Sequence, residues 1–252
     1  MRQRLYRTTA VVLKRMDLGE ADRIVTFFSH DVGKLKAVAK GVRRTTSRSA
    51  GHLEPFTLTD VLFATGRELD VVSQAETVEA FRAVREDLEL ATHAYYLAEM
   101  IDALTEERME NRPAFDLLVE SLRELAQCPD PRLVVVAFHL RLLDALGYRP
   151  ELRECLACRA AIQPGENHFS AAAGGVLCPR CARRESQPAR PISVPALKFL
   201  RYVQRAESHR GVAVPGQVAR ETEALLREYA EHLVERRLRS PALIARVANL
   251  YD

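Results

Sequence analysis

Four cysteines carry the most specific chemistry in the chain. They stand as Cys155-Leu-Ala-Cys158 and Cys178-Pro-Arg-Cys181, with nineteen residues between the pairs. Each C-x-x-C turns the backbone so that two sulfurs face one point, and two such turns give four thiolates at the corners of a tetrahedron. That donor set suits Zn²⁺ and closes its coordination shell. A closed shell has no position for water or substrate, so the spacing predicts a structural metal and no metal catalysis. Reduced thiols or two redox pairs are the plainer alternatives. A thioredoxin-like pair would follow a strand, whereas Cys155 follows Gly147-Tyr148-Arg149-Pro150, which reads as a helix exit. Iron–sulfur ligation is the other metal reading. His168 lies between the pairs and reads as an ordinary loop histidine. Cys128, twenty-seven residues upstream, reads as a small semi-buried side chain.

A second constellation is electrostatic. Between Val32 and Leu53 there are six Lys/Arg and no carboxylate: Lys34, Lys36, Lys40, Arg43, Arg44 and Arg48. Placed on one strand and the loop after it, they would form a positive rim that attracts phosphates and releases counterions on binding. Thr45, Thr46, Ser47 and Ser49 would donate hydrogen bonds to phosphate oxygens. The plainer reading is a solvated basic loop with no ligand. Phe27, Phe28, Phe56 and Phe63 sit in strand patterns and read as core, which leaves Tyr6 as the exposed stacking candidate. Binding should therefore depend on phosphate more than on base stacking, and be salt-sensitive and nearly sequence-blind.

Catalytic signatures are missing. Gly33-Lys34 lacks the upstream glycine of a P-loop, and there is no H-E-x-x-H, G-x-S-x-G or G-x-G-x-x-G. The histidines form no cluster, and no acid–base pair suggests itself, so a non-enzymatic protein is expected. A docking surface is the remaining option. Arg132, His139 and Arg141 share one predicted helix, and its basic and apolar side chains would suit an acidic peptide ending in an aromatic residue. A half-exposed helix face with routine charges is the alternative.

The elements that must position these groups change character near residue 80. Upstream, five short runs alternate as strands: Arg7–Lys14, Arg23–Ser29, Gly33–Lys40, Phe56–Phe63 and Leu69–Ala75, with turns at Gly19, Gly33, Gly41 and Gly66. Five strands in under eighty residues suit a small closed barrel of the OB type, a fold that binds single strands on its face. Downstream the period becomes helical. Leu97, Ile101 and Leu104 share a face, as do Phe115, Leu118, Leu122 and Leu125. Asp130-Pro131 opens a helix that Gly147 ends. Ser193 caps another, a third runs from about Gln217 to Leu238, and Ser240-Pro241 opens a last short one. The fold class is therefore α+β. An OB-type domain over 1–80 precedes a helical domain over 81–252, with a four-cysteine zinc finger inserted at 151–186 and a linker from Gln187 to Pro191.

Charge is unevenly spread. Residues 1–53 carry a net +8, residues 54–154 a net −11 and residues 155–252 a net +6, against +3 for the whole chain. A basic head and tail around an acidic middle point to a polyanionic partner. The N-terminal Met1-Arg-Gln-Arg-Leu-Tyr-Arg has no apolar stretch behind its charges, so no signal peptide is expected. No apolar run approaches the ~20 residues of a membrane span. A cytoplasmic location, reducing enough to keep the thiols free for metal, is expected.

The order of these parts resembles the bacterial RecO family of recombination mediators. The resemblance rests on Gly19-Glu-Ala-Asp-Arg-Ile-Val25, on the run Gly33 to Arg44, on Gly147-Tyr-Arg-Pro-Glu-Leu-Arg-Glu-Cys-Leu-Ala-Cys158, and on His168-Phe-Ser followed by Gly-Gly-Val-Leu-Cys-Pro-Arg-Cys181. It spans essentially the whole chain. It implies binding of single- and double-stranded DNA, annealing without ATP, a complex with RecR, contact with the acidic C-terminal tail of single-stranded DNA-binding protein (SSB), and help in loading RecA onto SSB-coated DNA, with RecF an indirect partner. It implies a nucleoid-associated protein, with Lys34, Lys36, Lys40, Arg43 and Arg44 in the DNA-binding region and the SSB tail on the helical half. The rival function is a zinc-braced RNA-binding module, such as a ribosome-associated factor.

Overall fold

The computed structural model describes residues 4–186, 188–206 and 212–248. Gln187, at which the expected linker begins, lies outside the described residues. The chain forms two compact units, residues 1–127 with 239–252, and residues 128–238.

The first unit is built on five strands: β1 (Leu5–Leu18), β2 (Asp22–Ser29), β3 (Gly33–Ala39), β4 (Leu58–Ala64) and β5 (Asp70–Glu79). They close into a barrel in the order β1-β2-β3-β5-β4, as the strand runs predicted, and the topology is of the OB type. Closure depends on β1. Its first half pairs with β4 from Leu5–Ala64 to Val11–Leu58, and its second half pairs with β2 from Ala10–Ser29 to Leu18–Asp22. The register shifts between Val12 and Lys14, so Leu13 is an extra residue that bends the strand from one neighbour to the next. Strand β3 then meets β5 in a short parallel contact, Ala37–Asp70 and Val38–Val71.

Alternation fills the barrel. Val12, Val25, Phe27, Leu35, Ala37, Val61 and Phe63 point inward, and the rings of Phe27 and Phe63 meet edge to face at 5.3 Å. Val42 and Leu53, from the segment between β3 and β4, join the same core. The outer face is partly covered by helices. α1 (Arg82–Glu86) is one turn. α2 (Leu88–Leu104) is capped by the Asp87 carboxylate, which accepts from Leu90 N–H at 2.9 Å. α3 (Arg112–Leu125) is capped by Asn111, and its Phe115 lies 6.3 Å from Phe28 of β2.

The second unit begins with α4 (Pro131–Ala145), capped by Asp130 and led by Pro131 as expected. Residues 133–140, 142 and 143 are all buried, because this helix is apolar all round. A small sheet follows, from β6 (Asn167–Ser170) and β7 (Gly175–Leu177), then the one-turn α5 (Pro179–Ala182) and β8 (Arg190–Ile192), in the order β7-β6-β8. The expected linker is thus partly a strand: Arg190 to Ile192 pairs with β6, so the cysteine-bearing segment extends past residue 186. α6 (Val194–Ala206) is capped by Ser193, whose Oγ accepts from Ala196 N–H at 3.2 Å. α7 (Gly216–Leu233) ends earlier than expected: the chain turns through Glu235 at φ +53°. α8 (Ser240–Ala248) returns to the first unit and packs on α2. Glu99 of α2 accepts from the N–H groups of Arg239 and Ser240 at 2.8 Å each, capping α8 from another helix.

Candidate nucleic-acid interface and metal centre

The six cations expected on one rim fall into two groups. Residues 34 and 36 project outward from β3. There the segment joining α2 to α3 crosses the strand: Arg108 N–H donates to Lys34 O at 2.8 Å. Gly33 permits this crossing, since a Cβ there would lie 1.9 Å from Met109 O. The last turn of α2 and the crossing segment bring carboxylates onto the lysines. Lys34 Nζ donates to the Asp102 carbonyl at 2.5 Å and lies 3.7 Å from its carboxylate, and Lys36 pairs with Glu107. Lys34 is only 7% exposed, and burial lowers its pKa against the pull of Asp102 and Glu107. It is therefore not part of a solvent rim, which corrects the sequence expectation. The Lys36 hydrogen bond in turn holds the Glu107 carboxyl below its usual range.

The other four stand on the loop after β3, which is fixed from beneath. Val42 is buried in the barrel, and Asp22 accepts from Gly41 N–H at 2.7 Å. Arg43 folds back: its backbone N–H donates to Ala21 O, its guanidinium donates to Gly19 O at 3.0 Å, and Asp17 lies 3.5 Å away. Lys40, Arg44 and Arg48 are exposed, and none has an ion pair or side-chain hydrogen bond among the described residues. Thr45 and Thr46 are exposed beside them.

The sequence reading missed Lys14. The register sets Lys14, Thr26 and Lys36 opposite one another in a row across β1, β2 and β3, with Met16 opposite Ile24 in the next row. Together with Arg15 and Leu69 they line a groove of about 400 Å³. Lys14 Nζ also reaches Asp102, at 2.5 Å. Met16 is 61% exposed, an apolar side chain placed among cations. Period-two alternation puts Lys14 and Met16 on one face, but the pairing with Lys36 depends on register, which a single sequence does not specify. Tyr6 is not the free platform expected. Its ring stacks on Phe63 at 5.2 Å and its hydroxyl donates to Asp70, which Arg108 also binds at 2.8 Å.

The cysteines converge as predicted. The four Sγ atoms all lie within 4.8 Å of one another, and Cys158 and Cys178 are 3.9 Å apart. A tetrahedral ion with bonds of about 2.3 Å requires sulfur–sulfur edges of about 3.8 Å, so the cluster fits a metal ion. Backbone geometry makes the two knuckles. Arg159 N–H donates to Cys155 O, with Arg159 at φ +60°, and Cys181 N–H donates to Cys178 O. Burial opposes the Cys155 thiolate, but backbone N–H groups led by that of Cys178 bring its pKa down to about 6. Cys181 is pushed up to about 12, first by its hydrogen bond to the Cys178 thiol and then by burial. Four thiols at one point resist losing all their protons until a cation joins them. Gly175 gives this segment its close packing: a Cβ there would lie 2.2 Å from Glu151 O.

The expected peptide face on α4 is not formed as read. His139 is fully buried, and burial followed by the Arg227 charge lowers its pKa to about 3. Being neutral and enclosed, it cannot meet a surface ligand. Arg132 is held against its own helix cap, 2.7 and 2.8 Å from the Asp130 carboxylate, and Arg141 is half-buried. The seven-residue spacing of 132 and 139 does not place both on solvent, because residue 139 is enclosed while residue 132 is half-buried.

An OB-type barrel with a basic loop, joined to helices and a thiol cluster, defines the class of architecture. The sequence places it more narrowly. Residues 1–81 match the family described as "Recombination protein O N terminal", and residues 85–242 match "Recombination protein O C terminal". The chain is 44% identical over 246 residues to the DNA repair protein RecO of Roseiflexus sp. (strain RS-1), covering 97% of this chain and 86% of that one. It is 37% identical to the protein of the same name from Pelotomaculum thermopropionicum, over 96% of this chain and 94% of the relative. Against that of Bifidobacterium adolescentis it is also 37% identical, with coverages of 95% and 99%. The chain belongs to the RecO family of DNA repair proteins. Among the described residues, no helix is long and apolar enough to cross a membrane.

Proposed function

We propose that this protein is a non-catalytic recombination mediator that acts in the cytoplasm on the nucleoid. It binds single- and double-stranded DNA and anneals complementary strands without ATP. With RecR it helps RecA load onto DNA coated by SSB, with RecF as an indirect partner. The observation that carries this reading is the loop after β3: Lys40, Arg44 and Arg48 are exposed and unpaired among the described residues, on a barrel of the OB type. Unpaired cations held on a rigid base gain most from phosphate, because no internal partner must first be displaced. Arg43 and Lys36 extend the surface along the groove that includes Lys14. A sequence-blind positive surface holds two phosphate chains close together, and base pairing then supplies the free energy, so no nucleotide hydrolysis is required.

The thiol cluster is a structural Zn²⁺ site, with Cys155, Cys158, Cys178 and Cys181 as its ligands. When bound, the ion braces the segment between α4 and α6. Replacing Cys155 or Cys178 by serine, or stripping the metal with a chelator, should lower the melting temperature by about 10 °C or more. X-ray absorption should show four sulfur neighbours and no water.

The decisive experiment is annealing of SSB-coated complementary strands by the purified protein without ATP. Acceleration at low salt that fades as salt rises supports the reading. An uncatalysed rate across all salts, or preference for RNA in competition, refutes it. A pull-down tests contact with the acidic SSB tail, which the burial of His139 moves off the enclosed face of α4.

A further inference from the structure

A second basic site lies wholly within the unit of residues 128–238. A cavity of about 390 Å³ is lined by Arg153, Ile162, Lys198, Arg201, Tyr202 and Arg205. Four of its six residues are cations, and none of the four has an ion pair among the described residues. Lys198, Arg201, Tyr202 and Arg205 recur at three- and four-residue intervals on α6, so they share a face. Like charges at that spacing repel one another, and an anion between them relieves the repulsion.

The site is also pre-arranged. Arg201 Nε donates to Leu152 O at 2.8 Å, and Gln204 of the same helix donates to Pro150 O at 2.9 Å. The first bond fixes the guanidinium by its Nε and leaves its two terminal nitrogens for a ligand. The acidic neighbour of Arg201 and Arg153, Glu151, is turned away: its carboxylate accepts from the backbone N–H groups of Arg153 at 2.6 Å and Glu154 at 3.1 Å. The pocket thus keeps its positive charge although a carboxylate stands nearby.

We infer that this pocket binds consecutive phosphates of single-stranded nucleic acid, with the Tyr202 ring as a wall against which a base lies. Spacing favours a strand over a single small anion. From Lys198 to Arg205 the helix rises about 10 Å, more than one small anion can bridge, so the row can meet successive phosphates of a strand. An aromatic side chain set among cations is the usual composition of a single-strand groove. The inference rests on the reading of the protein as a nucleic-acid binder and adds a contact independent of the barrel.

The test measures binding of a fluorescein-labelled oligothymidylate to the full chain as a function of salt. Lys198 and Arg205 are exposed, so Lys198→Gln with Arg205→Gln should leave the melting temperature unchanged; Arg153→Gln provides a second, separate variant. The double variant should weaken binding at low salt by about fivefold and reduce the logarithmic salt slope by about 1.4, two cations at about 0.7 each. A barrel variant, Lys40→Gln with Arg44→Gln and Arg48→Gln, should keep a residual salt-sensitive affinity that the pocket substitutions remove. If the pocket variants bind with the unaltered affinity and slope, the inference is wrong while the barrel reading stands. If they lose only an acidic peptide ending in an aromatic residue, the pocket is a peptide site instead. If the unaltered chain does not retain the oligomer, the functional reading itself falls.

Discussion

Within fifteen residues the barrel treats its cations in opposite ways. Lys34 and Lys36 meet Asp102 and Glu107, while Lys40, Arg44 and Arg48 are exposed without partners among the described residues. Composition is the same in both stretches; what differs is the element facing them. The β3 lysines lie under the last turn of α2 and the segment that follows it, where Asp102 and Glu107 present to them the kind of charge a phosphate would. The loop residues lie beyond their reach. A count of positive charge therefore overstates what is left for an external anion, and the part already satisfied internally has to be subtracted.

The loop should supply the largest effect. Lys40→Glu with Arg44→Glu and Arg48→Glu should weaken single-strand binding by about 10- to 100-fold and flatten the salt slope by about 2 or more. An unchanged slope in a salt titration would erase the distinction. Lys34 should respond in stability and hardly at all in binding. It is almost enclosed, so Lys34→Met should shift the urea midpoint by about 1–3 kcal/mol equivalent while leaving DNA affinity nearly constant. A large loss of affinity with no change in midpoint would return Lys34 to the binding surface. Glu107→Gln should act in the opposite direction. The Lys36–Glu107 pair is half-exposed, 41% and 52%, and such pairs are worth about 0–1 kcal/mol, so freeing Lys36 should tighten binding by about 2- to 5-fold. Weaker binding by this variant would mean that the carboxylate positions Lys36 for its ligand.

The smallest effect concerns the attachment that keeps the acidic segment in place. Arg108 binds Asp70, which also accepts from Tyr6. Burial, then the hydrogen bond to Asp70 and its charge, raise the Tyr6 pKa from 10.0 to about 12. The stability this phenol contributes is fully present below pH 10 and is lost as pH rises through about 12. Melting temperatures between pH 9 and 12 should fall more steeply for the unaltered protein than for Tyr6→Phe. Parallel curves would show that the attachment does not depend on this proton.

Sequence patterns exposed the local features and missed the distant ones. The cysteine cluster was legible because each knuckle is made within four residues. The barrel was legible because five alternating runs fit few closed arrangements. The strand ends were not: Arg15 to Leu18 continue β1 with an exposed Met16, which reads as loop, and the extra Leu13 breaks the alternation. The partners of Lys34 and Lys36 lie 68 and 71 residues away, a separation that no periodicity reports. His139 departs from expectation because apolar residues occupy every face of α4, so helix phase marks no solvent side there.

The return of α8 to α2 gives the chain an order of assembly. Residues 128–238 are contiguous, so that unit is complete once its last helix has been made. The barrel-bearing unit is not, since Glu99 caps a helix synthesised only after the whole cysteine segment. During synthesis the barrel-bearing part would thus precede the later unit and yet reach its final form after it, with one face of α2 uncovered in the interval.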